Sequence, residues 1–172
     1  MSTTETRSDA PPSGIDSPSV RRVRAALADL GALHEVIALS SSARTAQEAA
    51  DSLGVPLGAI VKSLVFTIGG EPVMALIAGD RQCVAEALPD ALGMDGPVKK
   101  ANAETVRQAT GFAIGGVAPV AHATVLPIAI DDSLGRFDAV YAAAGHPHCV
   151  FRTSLEELRR VTPGLVAATI SS

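Results

Sequence analysis

Residues 45–66, TAQEAADSLGVPLGAIVKSLVF, join a helix start to a strand that holds a charge where none is expected. Thr45-Ala-Gln-Glu48 has capping-box spacing: the Thr hydroxyl accepts from the backbone N–H three residues on, and the Glu reaches back to the cap's own N–H. A short helix through Leu53 follows, stopped by Gly54 and Pro56. Residues 59–68 are then apolar and β-branched, which reads as a strand, yet Lys62 and Ser63 interrupt it. Lysine is almost never fully buried without a partner. Either the strand lies at an edge and Lys62 reaches water along its own stem, or something anionic meets it.

Working outward, the Gly69-Gly70 turn leads into a second strand over residues 72–78, so the two form a β-hairpin. Upstream, Val20, Val23, Leu27 and Leu30 recur at helical spacing with Arg21, Arg22, Arg24 and Asp29 on the other faces, and Gly31 ends the helix. Residues 34–39 alternate weakly as a short strand before a Ser-rich turn. Downstream, short helices are expected over 84–88 and 103–110, and strands over 125–130, 138–143, 148–152 and 165–170. Ser154 caps a further helix over 155–161. Strands occur both in hairpins and separated by helices, which predicts an α/β fold with a mixed sheet and helices packed outside it.

The chain of 172 residues suits one domain with a sizeable core. Its 47% apolar content comes mostly from Ala, Val, Leu and Ile, with no Trp and a single Tyr, so the core is aliphatic and rings for stacking bases are few. Residues 1–17 are rich in Ser, Thr, Pro and charge and cannot repay the entropy of ordering, so they read as a disordered tail before a domain over 18–172. No apolar run approaches the roughly 20 residues that span a bilayer, and the polar start lacks the regions of a signal peptide. A cytoplasmic protein is expected. Cys83 and Cys149 are too few for a disulfide framework. The net charge of −4 excludes a broad nucleic-acid footprint, which needs a basic excess. Any contact with nucleic acid should be small.

Three further stretches draw attention. GFAIGGVAPVAH, residues 111–122, interrupts an apolar run with glycines whose N–H groups can approach a ligand and serve as oxyanion donors, though it also reads as an ordinary helix-to-strand loop. AAAGHPHCV, residues 142–150, sets His146, His148 and Cys149 close together. A zinc site needs three or four convergent ligands, and His34 and His122 stand in unrelated contexts, so no metal is expected. Cys149 precedes Val150 and Phe151 in what reads as a core strand, where a thiol is usually inert packing. Asp80 and Arg81, at the end of the second hairpin strand, read as a solvated strand end or a site rim. GxSxG, HExxH, a dinucleotide fingerprint and a P-loop are all absent.

Lys62 within TAQEAADSLGVPLGAIVKSLVF, the GGVAP loop and the YAAAGHP stretch, in this order and spacing, resemble the YbaK family of aminoacyl-tRNA editing domains over about residues 19–170. That family includes free-standing proteins and the editing insertion of bacterial prolyl-tRNA synthetases. The resemblance implies a single domain around a curved, partly closed mixed β-sheet, with no cofactor. It also implies hydrolysis of the ester joining a wrong amino acid, Ala or Cys, to tRNA for proline. The partners it implies are the tRNA acceptor end and a prolyl-tRNA synthetase or elongation factor. Lys62 matches the family lysine that holds the terminal adenosine and phosphate, and residues 115–119 match the GxxxP loop. By this resemblance Lys62, Gly115 and His146 are the catalytic positions, and Ser63, Gly116, Val117, Pro119 and Gly145 contact substrate. His146 is expected to shape the amino-acid pocket more than to act as a base. Attack by water, assisted by a ribose hydroxyl of the substrate, accounts for the missing triad. The sequence departs from the pattern at Ala121, where many members have Gly, and at Ser63, where Thr or Asn is common. A non-catalytic sensor of a free amino acid or nucleotide on the same fold stays open as the alternative.

Overall fold

The computed structural model describes residues 14–33, 35–40 and 43–172. The hairpin at its centre is β2 (Val61–Ile68) and β3 (Glu71–Ala78), paired antiparallel in a register running from Val61 with Ala78 to Ile68 with Glu71. Gly69 and Gly70 both take positive φ, 57° and 86°, as a two-residue hairpin turn requires. β3 is buried throughout from Val73 to Ala78, because each face has its own core. Met74 and Leu76 belong to the larger core, and Val73, Ala75 and Ile77 to a smaller one. A continuous apolar run is what a strand covered on both faces needs.

β5 (Ile128–Asp131) joins β3 in parallel, β8 (Leu165–Ala167) joins β5 in parallel, and β4 (Val98–Lys100) pairs antiparallel with the far end of β2. The resulting order is β4-β2-β3-β5-β8. A second ladder of three antiparallel strands holds β7 (Cys149–Thr153) between β1 (Val36–Ala38) and β6 (Val140–His146). An isolated parallel bridge from Ile60 to Tyr141 links the two ladders. The mixed sheet of the single α/β domain is thus two hydrogen-bonded ladders joined at one point.

Helices α1 (Pro18–Asp29), α2 (Ala46–Leu53), α4 (Ala103–Thr110) and α5 (Leu155–Val161) begin at Ser17, Thr45, Asn102 and Ser154, whose side chains accept from backbone N–H groups of the first turn. At Thr45 the box closes differently from expectation: its hydroxyl donates to the Glu48 carboxylate instead of Glu48 reaching the cap's N–H. Of the expected tail, residues 1–13 lie outside the described residues. Residues 14–17 form a turn, with the Ser17 N–H on the Gly14 carbonyl, that leads into α1. His34 and the residues at 41 and 42 also lie outside them, so the expected strand is described only as β1.

Several boundaries move for physical reasons. The helix expected over 84–88 is a 3-10 turn, Ala85–Ala87, that runs on into α3 (Leu88–Leu92), because Pro89 falls in the first turn where its missing N–H costs nothing. Strand β5 starts only after Pro127, leaving Val125 92% exposed. Residues 170–172 leave β8 and pair with the segment at 82–84 instead. Strands β6 and β7 continue to a tight turn at Pro147 and His148, with a register shift between Ala143 and His146 where Gly145 takes φ 97°. His148, expected to begin a strand, therefore sits in the turn itself, directly after the end of β6 at His146.

Candidate active site

The pairing of β2 leaves a gap. β4 covers Phe66 to Ile68, the Ala101 N–H reaches the Val65 carbonyl, and β6 bridges at Ile60. Between these points no described strand pairs with β2 on that side. Backbone groups alternate in direction along an antiparallel pair, and Val65 points its carbonyl to the open side, so Ser63 does too. A cavity of about 320 Å³ lies against this gap. Its walls are the start of α2 with Arg44 and Ala46, β2 from Val61 to Leu64, the loop at Ile114, Gly115 and Val117, and Tyr141 of β6 with Pro147 of the turn.

Lys62 is half-buried in that wall, and its ammonium donates to the Arg81 carbonyl at the end of β3. Neither sequence alternative describes it fully: Lys62 lies beside an open stretch of an otherwise internal strand, held by a neutral acceptor. The Ser63 hydroxyl is buried without a partner, a state that costs free energy unless a ligand fills it.

The segment bearing Arg81 is itself pinned. Asp131 is fully buried, and its carboxylate accepts from the N–H groups of Ala78 and Ser133 at 3.0 and 2.9 Å and from the Ser171 hydroxyl at 2.8 Å. Burial pushes its carboxyl up, but these hydrogen bonds outweigh burial and hold it below the usual carboxylate range. Asp80 is more than a solvated strand end: Arg136 grips it with two hydrogen bonds of 2.8 and 2.9 Å, and the bonds hold its carboxyl down.

The glycine loop has a tight back and an open front. The Gly116 N–H bonds the Ala113 carbonyl at 3.1 Å, which leaves the amides of Gly115 and Val117 without a partner among the described residues. Gly115 takes φ 94° at the exposed front. A Cβ on Gly116 would stand 3.0 Å from the backbone of His146, so the loop leans directly on the end of β6. Deeper down, Phe112 anchors the loop under the Arg22 guanidinium, 4.4 Å from its centroid, with the His122 ring edge-on at 6.4 Å. Nε2 of His122 meets the Ala118 carbonyl at 2.7 Å, and burial lowers the ring's pKa, which keeps it neutral and donating.

Of the residues singled out from sequence, the cavity brings together Lys62, Ser63, Gly115 and Val117. Gly116, Pro119, Gly145 and His146 stand behind its wall. Pro119 is buried in the loop, and a Cβ on Gly145 would meet the Ser19 carbonyl at 2.9 Å, where β6 touches α1. The His146 ring lies flat against Gly14, whose hypothetical Cβ would be 2.5 Å from it, and its Nδ1 accepts from the His148 N–H at 3.1 Å. Burial, and then the charge of His148, lowers the His146 pKa. Sequence reasoning missed Arg44, which no motif marks, and Tyr141, which opens the YAAAGHP stretch but was given no role; only the tertiary fold brings both to the cavity.

The match to known proteins agrees with this geometry. Residues 40–161 match the aminoacyl-tRNA editing domain family. The protein is 30% identical over 141 residues to the uncharacterized protein YwhH of Bacillus subtilis, covering 81% of this chain and 88% of that one. It is 36% identical over 104 residues to a proline–tRNA ligase of Nitratidesulfovibrio vulgaris, a stretch that spans 60% of this chain but only 17% of the ligase. Among solved structures, a candidate trans-editing enzyme for prolyl tRNA synthetase superposes with a TM-score of 0.82 at 42% identity, covering 88% of this chain and 96% of that one. The chain belongs to the aminoacyl-tRNA editing domain family.

Proposed function

We propose that the protein is a trans-editing deacylase that hydrolyses the ester of mischarged tRNA, with alanine or cysteine on tRNA for proline as its substrate. The observation that carries this reading is one cavity walled by a cation, Lys62, by two unpartnered amides, at Gly115 and Val117, and by an unpaired hydroxyl on Ser63.

Each group has a part in ester hydrolysis. Lys62 holds the terminal adenosine and its phosphate, releasing the Arg81 carbonyl to do so. The free amides receive the carbonyl oxygen as it becomes an oxyanion. Ser63 contacts the aminoacyl end. Water attacks the carbonyl carbon while the neighbouring ribose hydroxyl takes its proton and passes its own to the departing ribose oxygen, so that the ester C–O bond breaks to leave a free amino acid and an intact ribose diol. An aminoacyl ester is already activated, so positioning supplies much of the acceleration without a strong protein base. Gly116, Pro119, Gly145 and His146 serve by fixing the wall. The substrate's partner is the acceptor end of tRNA, delivered by a prolyl-tRNA synthetase or elongation factor in the cytoplasm.

Incubation with a panel of aminoacyl-tRNAs tests this. The wild type should clear Ala- or Cys-tRNA for proline and leave Pro-tRNA, and Lys62→Ala should lower the rate by about 100-fold or more, in line with loss of a group that positions the reacting ester. A Lys62→Ala protein as fast as wild type removes the assigned role. A wild type that leaves every ester intact makes the cavity a sensor.

A further inference from the structure

The glycine loop, residues 111–122, is tied shut at its neck. The Ala123 N–H donates to the Thr110 carbonyl and the Thr124 N–H to the Ala109 carbonyl, each at 3.1 Å, and the Thr124 hydroxyl donates to the same Ala109 carbonyl at 2.8 Å. A compact loop whose ends are close holds its shape by its own side chains and often carries function. Above the neck the backbone has few ties. Among the described residues, the backbone of residues 113–121 makes only the hydrogen bond from the Gly116 N–H to the Ala113 carbonyl and the one from His122 Nε2 to the Ala118 carbonyl. The first closes the turn that holds Gly115, and the second fixes the residue that follows Val117.

The proposed reaction gives His122 no part. Its ring lines no part of the cavity, and its Nε2 is spent on a carbonyl, so it neither touches substrate nor takes a proton from the attacking water. The half-buried ring is nevertheless held in place, edge-on to Phe112, which itself lies under Arg22. Ala118 is fully buried, so its carbonyl finds no water to replace the ring's N–H.

We infer that His122 is a positioning residue: by holding the Ala118 carbonyl it aims the Val117 amide, and with it the Gly115 amide, at the place where the oxyanion forms. The inference rests on the proposed deacylase and deepens it. Amides that meet an oxyanion act only in the transition state, so a loosely aimed loop loses kcat while KM, set by Lys62 and the rest of the wall, stays.

The test uses side chains that differ in whether a donor stands where Nε2 stands. Glutamine carries its amide nitrogen out to that point, asparagine falls short of it, and phenylalanine keeps the ring without a donor. On Ala-tRNA for proline, His122→Asn and His122→Phe should each lower kcat about tenfold with KM within about twofold of wild type, a part of the roughly 100- to 1000-fold that a whole oxyanion donor supplies. His122→Gln should bring kcat back to within about threefold of wild type. A loss carried by KM, a glutamine variant as slow as the asparagine one, or no loss in the donorless variants overturns the inference and leaves the deacylase standing. A melting curve identifies a donorless variant that does not fold, and the other then carries the comparison. A wild type inactive on every ester overturns the deacylase, and ¹⁵N relaxation of the substrate-free protein then decides the positioning alone. His122→Asn should lower the backbone order parameters of Val117 and Ala118 from the rigid value of about 0.85 to below about 0.6 while those of α4 stay as they are. Unchanged order at Val117 and Ala118 refutes it.

Discussion

Ala121 is the one non-glycine among the described residues with positive φ, 63°. An L-residue there costs about 1–2 kcal/mol, because Cβ crowds the carbonyl oxygen. This is the position at which the sequence departs from its family's usual glycine, so the departure carries a backbone cost, and nothing in the structure explains what offsets it. Ala121→Gly relieves the strain but gives the unfolded chain more freedom. It should raise stability by a few tenths to about 1 kcal/mol in chemical denaturation, since the two effects oppose each other. Lys62 was legible at this scale, as a charge in an apolar run. Its acceptor was not, because the Arg81 carbonyl lies 19 residues away and only the hairpin brings it close.

Among the elements, those with strong local signals were read nearly to the residue. Helix α4 runs Ala103–Thr110 and α5 runs Leu155–Val161, each from a capping side chain to a clear stop. Strand β4, three residues long, carries no period of its own and exists because β2 offers it an edge. Strand β6 runs to His146, three residues past the end at Ala143 that the sequence predicts. Gly145 lets the strand bend through a bulge while α1 passes close over it. Gly145→Ala meets both the positive φ and the Ser19 carbonyl, and should cost about 2–4 kcal/mol, lowering Tm measurably even with substrate-free protein. A loss of activity with unchanged Tm would instead place Gly145 in contact with substrate.

For the molecule as a whole, the buried ionisable groups set the pH range of the fold. His122 has its folded pKa lowered from about 6.5, chiefly by burial. Its neutral form is fully accommodated above that value, and stability is lost as pH falls below it, because the unfolded chain takes up the proton first. His146, lowered mainly by burial, adds a contribution of the same sign. Asp131 is lowered from 3.8, so its contribution holds above that value and disappears as pH falls further through the folded pKa. Stability should therefore decline in two stages on acidification, and His122→Gln should flatten the first stage. An unchanged slope in urea melts between pH 7 and 5 would show that the ring is not held neutral. The sequence foretold one mixed α/β domain. The division into two ladders was hidden, because nothing local marks where β2 runs out of partners.

That gap at β2 also bears on how copies of the protein behave toward one another. Unpaired backbone on an apolar strand is a template for another chain to add to, the usual route to edge-to-edge aggregation. Here the glycine loop shields the gap without hydrogen-bonding along it, and Lys62 and Lys100 stand beside its two ends. Lysine on a strand edge is one of the ways natural sheets repel such additions. These two charges thus keep a protein strand out, and the cleft is left open without becoming a site of self-assembly.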